Sequence, residues 1–326
     1  MAGSNFEKDT IDFKKIKKVA IIGAGAMGSY FASRFFDTAG FSTVLIAKGR
    51  RLEKLKTNGL IVNGKSYAIP VIHPDEAISA VDLIIVALKH YHLEKAVQGL
   101  EKLISDSTTI ISVMNGLESE EYIGSIYGKE KVLYAISVAI DAVREGSNRT
   151  TYTKPGKHFF GQADNTHLSQ RVLYVQEAFD RAKIVYETPK DMIRIMWWKF
   201  MINVGMNQAS AVMKASYGVF QTSLDAQGLM EALMKEVIAL TDVMGVNLTD
   251  HDIKEWYLFL NVLSSQGKTS MLQDIEAGRK TEVGIFGGKV VELGKTHDVQ
   301  TPANQACLQI IRVLEQQCEN KEKLYL

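Results

Sequence analysis

The stretch WWKFMINVGMN, Trp197 to Asn207, sets Lys199, Asn203 and Asn207 four residues apart in an otherwise apolar run. At about 100° per residue the three drift by only about 80° over two turns, so a helix carries them on one face. A lysine ammonium on such a face can stabilise negative charge building on a carbonyl oxygen and donate the proton that turns it into an alcohol. With an ordinary pKa near 10.4 it is already protonated at neutral pH, so no large shift is needed. The asparagines can hold substrate oxygens without adding charge. The competing reading is a lysine stem snorkelling past apolar neighbours, with two asparagines bonding locally.

A second chemical signal lies near the start. IIGAGAMG places Gly23, Gly25 and Gly28 as G-x-G-x-x-G between an apolar strand and a helix. The first glycine permits the tight turn, the second lets main chain approach a pyrophosphate, and the third lets helix and strand pack closely. This context points to a dinucleotide. NAD- and FAD-binding chains usually carry an acid about 20 residues on, for the ribose 2′-hydroxyl. Here the second strand, STVLIA, runs into Lys48, Gly49, Arg50 and Arg51 instead. Cations there favour NADPH. Arg51 in particular also reads as part of a solvated loop before RLEKLK. Lys89, in ALKHYH, stands at a strand C-terminus where ligands of such sheets bind, and reads equally as a cofactor contact or a surface lysine. Asn115, in VMNG, follows the next strand: either an ordinary Asn-Gly turn or a polar group at the nicotinamide end. His90 and His92 lack a third ligand at metal spacing, so no metal site is expected.

These residues need a scaffold. The 326 residues are 46% hydrophobic and 23% charged with a formal net charge of +1, which fits a globular protein with no polyanion-binding surface. The length predicts two domains. Short apolar runs alternating with amphipathic stretches predict an α/β fold: an N-terminal Rossmann domain with a doubly wound sheet over 17–188, followed by a C-terminal all-helical domain over 189–326. Expected details are a hairpin insertion at the Asn-Gly pair between Leu60 and Ile72, a helix over HLEKAVQGLEKLI, and antiparallel strands extending the sheet between Val132 and Gln162. The predicted C-terminal helices span Met192–Lys214, Leu224–Met244, His251–Leu263, Val283–His297 and Ala303–Cys318. Residues 1–16 read as a flexible extension whose lysines are a solvated lead-in. Cys307 and Cys318 are about 16 Å apart along one helix, beyond disulfide reach. With no secretory h-region and no run of 18 apolar residues, the expectation is a cytoplasmic protein with neither membrane nor nucleic-acid partners. An apolar helical domain of this kind supports a homodimer.

From Lys17 to about Cys318 the chain resembles the ketopantoate reductase (2-dehydropantoate 2-reductase) family. The resemblance rests on IIGAGAMG, IAKGRR, VALKHYH, the asparagine of VMNG, WWKFMINVGMN, SMLQDIEAGRKTEV and TPANQ, in that order. It implies NADPH-dependent reduction of a 2-oxo acid, 2-dehydropantoate, to pantoate, with the active site where the two domains meet. It gives Lys199 the role of general acid and makes Glu282 the carboxylate that supports it at the substrate. Asn115, Asn203, Asn207 and Ser270 become substrate-binding side chains, and Gly23, Gly25, Gly28, Lys48, Lys89 and Asn115 cofactor contacts. By sequence alone Glu282 reads as a helix N-terminal acid and Ser270 as an N-cap before MLQDI. The chain departs from the family in carrying Lys48 where arginine is usual, Met114 where glutamine is frequent, and Gly284, Gly287 and Gly288 in a stretch expected to be helical. Two rival readings remain: an NAD(P)-dependent 2-hydroxyacid dehydrogenase for other branched or aromatic substrates, and a non-catalytic dinucleotide sensor.

Overall fold

A computed structural model describes residues 15–324; the expected extension lies, through residue 14, outside the described residues. The chain forms two compact units. One holds the residues up to Met114 and Glu118–Met192, and the other Asn115–Leu117 with the residues from Ile193 onward.

The first unit is built on strands β1 (Lys18–Ile22), β2 (Ser42–Ile46), β3 (Leu60–Val62), β4 (Lys65–Tyr67), β5 (Val71–Ile72), β6 (Leu83–Val86), β7 (Thr109–Ser112), β8 (Val132–Ile140), β9 (Val143–Glu145), β10 (Arg149–Thr151), β11 (Pro155–Gly161) and β12 (Tyr186–Glu187). Eight of them form one sheet in the order β12-β11-β8-β7-β6-β1-β2-β5. From β5 to β8 every pairing is parallel, and β11 runs antiparallel to β8. The strands LIIV and TIIS are buried throughout, as the absence of polar alternation requires of strands covered on both faces. The first unit also carries α1 (Ala26–Phe36), α2 (Gly49–Asn58), α3 (Leu93–Val97), α4 (Ser119–Tyr127) and α5 (Gln170–Arg181). Two apolar clusters hold these layers together, one around Phe31, Phe35 and Phe179 and one around Val97, Leu100 and Leu103. The order reverses between β1 and β6, the switch point at which such sheets bind ligands.

One detail of this unit differs from the sequence expectation and another matches it. HLEKAVQGLEKLI is not one helix: α3 stops at Val97, Gly99 takes φ +81°, and only a 3₁₀ turn follows over Glu101–Leu103. The Asn63-Gly64 pair, at φ 48° and 79°, does form the expected β3–β4 hairpin. That hairpin joins β10 and β9 in a separate four-stranded sheet ordered β4-β3-β10-β9.

Among the described residues the second unit contains no strand. It comprises α6 (Met192–Ile202), α7 (Gln208–Met213), α8 (Tyr217–Thr222), α9 (Leu224–Val243), α10 (Asp250–Leu260), α11 (Ser270–Glu276), α12 (Gly287–His297) and α13 (Pro302–Leu324), packed on Phe200, Met230, Met234, Phe286 and Ile311. The expected single helix over Met192–Lys214 is instead α6 and α7 joined by a π-helical turn, Asn203–Asn207. The stretch predicted as helix from Val283 starts as a 3₁₀ turn, with α12 beginning at Gly287.

Candidate active site

In the first unit β1 delivers the chain into the glycine loop at the switch point. A Cβ on Gly23 would lie 2.4 Å from the Ala87 carbonyl oxygen, and one on Gly28 would lie 1.8 Å from the Gly23 carbonyl oxygen. These two glycines are fixed by packing. Gly25 differs: a Cβ there meets nothing within 4 Å. It is the N-cap of the 11-residue α1, with no side-chain cap and no acid in the first turn. The N-terminal amides of a helix therefore face open space at the place where a pyrophosphate binds, and the residues fit a dinucleotide. Lys89 follows β6, half-buried at the start of a 3₁₀ turn. Lys48 turns its ammonium onto main chain, donating to the carbonyls of Gln98 at 2.5 Å and Lys95 at 3.3 Å.

The second unit assembles the polar residues. Asn203 Nδ2 donates to Asn115 Oδ1 at 3.4 Å, and Asn115 Nδ2 donates to Glu282 Oε2 at 3.3 Å. A carboxylate only accepts, so Glu282 fixes the Asn115 amide with its NH₂ inward and leaves its carbonyl to Asn203. Glu282, 6% exposed, precedes the 3₁₀ turn Val283–Ile285. Its loop is braced by Glu315, whose Oε1 accepts from both the Thr281 N–H and hydroxyl at 2.7 Å.

Lys199 stands one turn before Asn203. Burial pulls its ammonium down from 10.5 to about 8, which corrects the expectation of an ordinary lysine, and among the described residues it has no hydrogen-bond or ion-pair partner. Asn207 is buried, with no side-chain hydrogen bond among the described residues. Asn203 and Asn207 are the first and last residues of the π turn. Ser270 is exposed as the first residue of α11 and is not the cap: Thr269 Oγ1 accepts from the Leu272 N–H at 3.2 Å. No bond links Ser270 to the Asn203, Asn115 and Glu282 chain among the described residues.

Sequence reasoning missed the groups that hold the π turn. Gln208, fully buried, donates to the Val204 carbonyl at 2.9 Å and to Asn304 Oδ1 at 2.8 Å, while Asn304 Nδ2 donates to Glu236 Oε2 at 2.7 Å. Polar residues at apolar helix positions were the available signal. Gly205, inside the turn, faces α9: a Cβ there would lie 2.5 Å from Met234 Cγ and 2.9 Å from the Met230 carbonyl oxygen. The methionine can yield but the carbonyl cannot. Gly205→Ala is therefore expected to destabilise the protein by about 1–3 kcal/mol, the usual range for overpacking, read as a lowered midpoint in chemical denaturation.

Comparison with known proteins places the chain in a family. The family model described as Ketopantoate reductase PanE/ApbA matches residues 19–165, and the model described as Ketopantoate reductase PanE/ApbA C terminal matches residues 191–315. The chain is 27% identical over 324 residues to a 2-dehydropantoate 2-reductase of Mesorhizobium japonicum, covering 91% of this chain and 97% of that one. It is 25% identical over 301 residues to the enzyme of that name from Archaeoglobus fulgidus, covering 92% and 99%. Similar folds include D-mandelate dehydrogenase solved with NADH and anilino(oxo)acetate, with a TM-score of 0.83 at 22% identity over 93% of this chain and 99% of that one. A PanE/ApbA family ketopantoate reductase from Ralstonia eutropha gives 0.79 at 22% identity, with the same coverage. Both units, in order and nearly end to end, match the two parts of one family, and the chain belongs to the ketopantoate reductase family.

Proposed function

We propose that this chain is a cytoplasmic, NADPH-dependent oxidoreductase that reduces 2-dehydropantoate to pantoate. The observation that carries the chemistry is the half-buried Lys199 ammonium, without a hydrogen-bond or ion-pair partner among the described residues, one turn before Asn203 and its chain to Asn115 and Glu282. Bound NADPH supplies the hydride. The glycine loop and the N-terminus of α1 seat its pyrophosphate, with Lys48 and Lys89 bordering it. Lys199 donates its proton to the ketone oxygen and stabilises the charge that builds there. Asn203 and Asn207 hold substrate oxygens, Asn115 and Glu282 fix Asn203, and Ser270 contributes a hydroxyl at the substrate. Curated relatives named for this reaction support the substrate.

The test is NADPH consumption with 2-dehydropantoate set against a panel of branched and aromatic 2-oxo acids, each with NADPH and NADH. Highest kcat/KM for 2-dehydropantoate with NADPH supports the reading. Preference for an aromatic 2-oxo acid with NADH moves the protein to the 2-hydroxyacid dehydrogenases, and binding of cofactor without turnover of any acid makes it a sensor.

A general acid titrating at about 8 also fixes the pH dependence. The ammonium is the active form, so reduction is expected to be level below about pH 7 and to fall roughly tenfold per unit well above pH 8. A pH profile of kcat/KM that stays flat to pH 10 would exclude Lys199 as the proton donor.

A further inference from the structure

Glu120 is a buried carboxyl without a part in the reduction and, among the described residues, without a cation to pair with. It lies in the first turn of α4 at 4% exposure, and its Oε1 has no hydrogen-bond partner. Burial raises its pKa from 4.5 to about 7, with the Ser119 hydroxyl and the Glu120 and Ala135 amides pulling the other way. Glu121 on the same helix and Tyr134 on β8 are the titratable groups that feel its charge. A carboxyl so placed costs stability, and polar groups kept at such a cost concentrate at functional sites.

Its other oxygen shows what it does there. Ser119 Oγ lies 2.8 Å from Glu120 Oε2 and 2.7 Å from Ser112 Oγ, and all three residues are buried. A carboxylate only accepts, so the single Ser119 hydroxyl proton goes to Glu120 and Ser112 must donate to Ser119. The Ser112 oxygen is then left to accept from the Met114 N–H, at a long 3.5 Å. Donation runs one way, from Met114 through Ser112 and Ser119, and Glu120 sets its direction. Ser112 is the last residue of β7 and Ser119 the first of α4. Their bond ties together the two ends of segment 113–118, the segment that carries Asn115.

We propose that Glu120 is a positioning residue for the reduction: through the Ser119–Ser112 clamp it fixes the segment that presents Asn115, and with it the hold of Asn115 on Asn203. The proposal rests on the substrate-binding role proposed for Asn203. Asn115 Oδ1 accepts from Asn203 at 3.4 Å, already a long bond, so a small displacement of the segment breaks it.

The test is steady-state kinetics with 2-dehydropantoate and NADPH, paired with thermal melts at pH 8, on the full-length protein. Glu120→Leu removes the acceptor. It is expected to raise KM for 2-dehydropantoate about tenfold, the weight of one hydrogen bond, while kcat and the Kd for NADPH stay within about threefold. Its folded pKa lies above the unfolded value, so the cost of the buried charge is absent below pH 4.5 and complete above pH 7. Glu120→Leu should therefore melt at or above the parent at pH 8, a rise in KM without loss of stability that a purely structural carboxyl would not give. Glu120→Gln, whose amide oxygen still accepts from Ser119, is expected to keep KM within about threefold of the parent. In an Asn115→Ala background Glu120→Leu should add less than about twofold to KM, because residues acting through one contact are not additive. An unchanged KM in Glu120→Leu, a Tm that falls together with activity, or a full additional effect in the Asn115→Ala background overturns the proposal alone. An Asn115→Ala protein that turns over like the parent overturns the role of Asn115 at the substrate as well, and a parent protein that does not reduce 2-dehydropantoate overturns the function beneath both.

Discussion

Lys199→Ala is expected to lower kcat by about 10²-fold or more, the usual reach of general acid catalysis, while NADPH affinity stays within about twofold. The substitution leaves unchanged the glycine loop and the N-terminus of α1, on which the pyrophosphate is proposed to sit. Lys199→Arg separates the two duties of the side chain. Arginine keeps a positive charge but does not give up a proton near neutral pH. It is expected to restore part of the substrate affinity and little of kcat, and to abolish the alkaline fall expected near pH 8. Steady-state kinetics of both variants decide the matter: an unchanged kcat in Lys199→Ala ends the assignment.

The same group carries a stability signature of opposite sign to its catalytic value. Its folded pKa, about 8, lies below the ordinary 10.5, so folding disfavours the charged form. That penalty is fully present below pH 8 and disappears as pH rises above about 10.5. Lys199→Met removes the charge while keeping the volume, and is expected to raise Tm by a few degrees at neutral pH and by little at pH 10.5. A destabilised Lys199→Met protein would mean that the ammonium has a partner in the folded state after all.

Much of this was legible before any coordinates. VAII, LIIV and TIIS announce strands of a parallel sheet because burial on both faces erases the polar alternation that other strands keep. The Asn63-Gly64 turn was legible because few residue pairs accept φ > 0 twice in succession. Long-range placement was not. Asn115 reaches Asn203 across 88 positions and Glu282 across 167, and it clusters with the second unit although its own strand belongs to the first. A four-residue spacing of polar groups fits an α-helix and a π turn alike, so Lys199, Asn203 and Asn207 were found while the π turn that spans the last two was not. Arg51 of α2 and Arg144 of β9 both donate to the Ser147 carbonyl, a meeting that follows from the pairing of β10 with β3, which no local pattern encodes. The lowered pKa of Lys199 is equally invisible, since it comes from burial rather than from any neighbour in sequence.

Gly28→Ala and Gly25→Ala are expected to fail in different ways, and the difference tests where the cofactor sits. At Gly28 the new Cβ would lie 1.8 Å from the Gly23 carbonyl oxygen and 2.9 Å from its carbon, both main chain. Nothing flexible can yield there, so α1 must shift off the turn that follows β1. Destabilisation of about 3 kcal/mol or more and loss of NADPH binding should appear together. At Gly25 the methyl enters space with no atom within 4 Å, and φ −84°, ψ −163° is open to any L-residue. Gly25→Ala should therefore melt within a degree or two of the parent, while its NADPH Kd rises about tenfold or more because the methyl occupies the approach of the pyrophosphate to main chain. Thermal melts paired with dinucleotide titrations read both quantities. If Gly25→Ala binds NADPH as the parent does, the pyrophosphate does not lie against this glycine and the seating of the cofactor proposed for the loop is wrong. If instead Gly25→Ala loses stability in step with Gly28→Ala, the open space at the helix N-terminus is not open in solution.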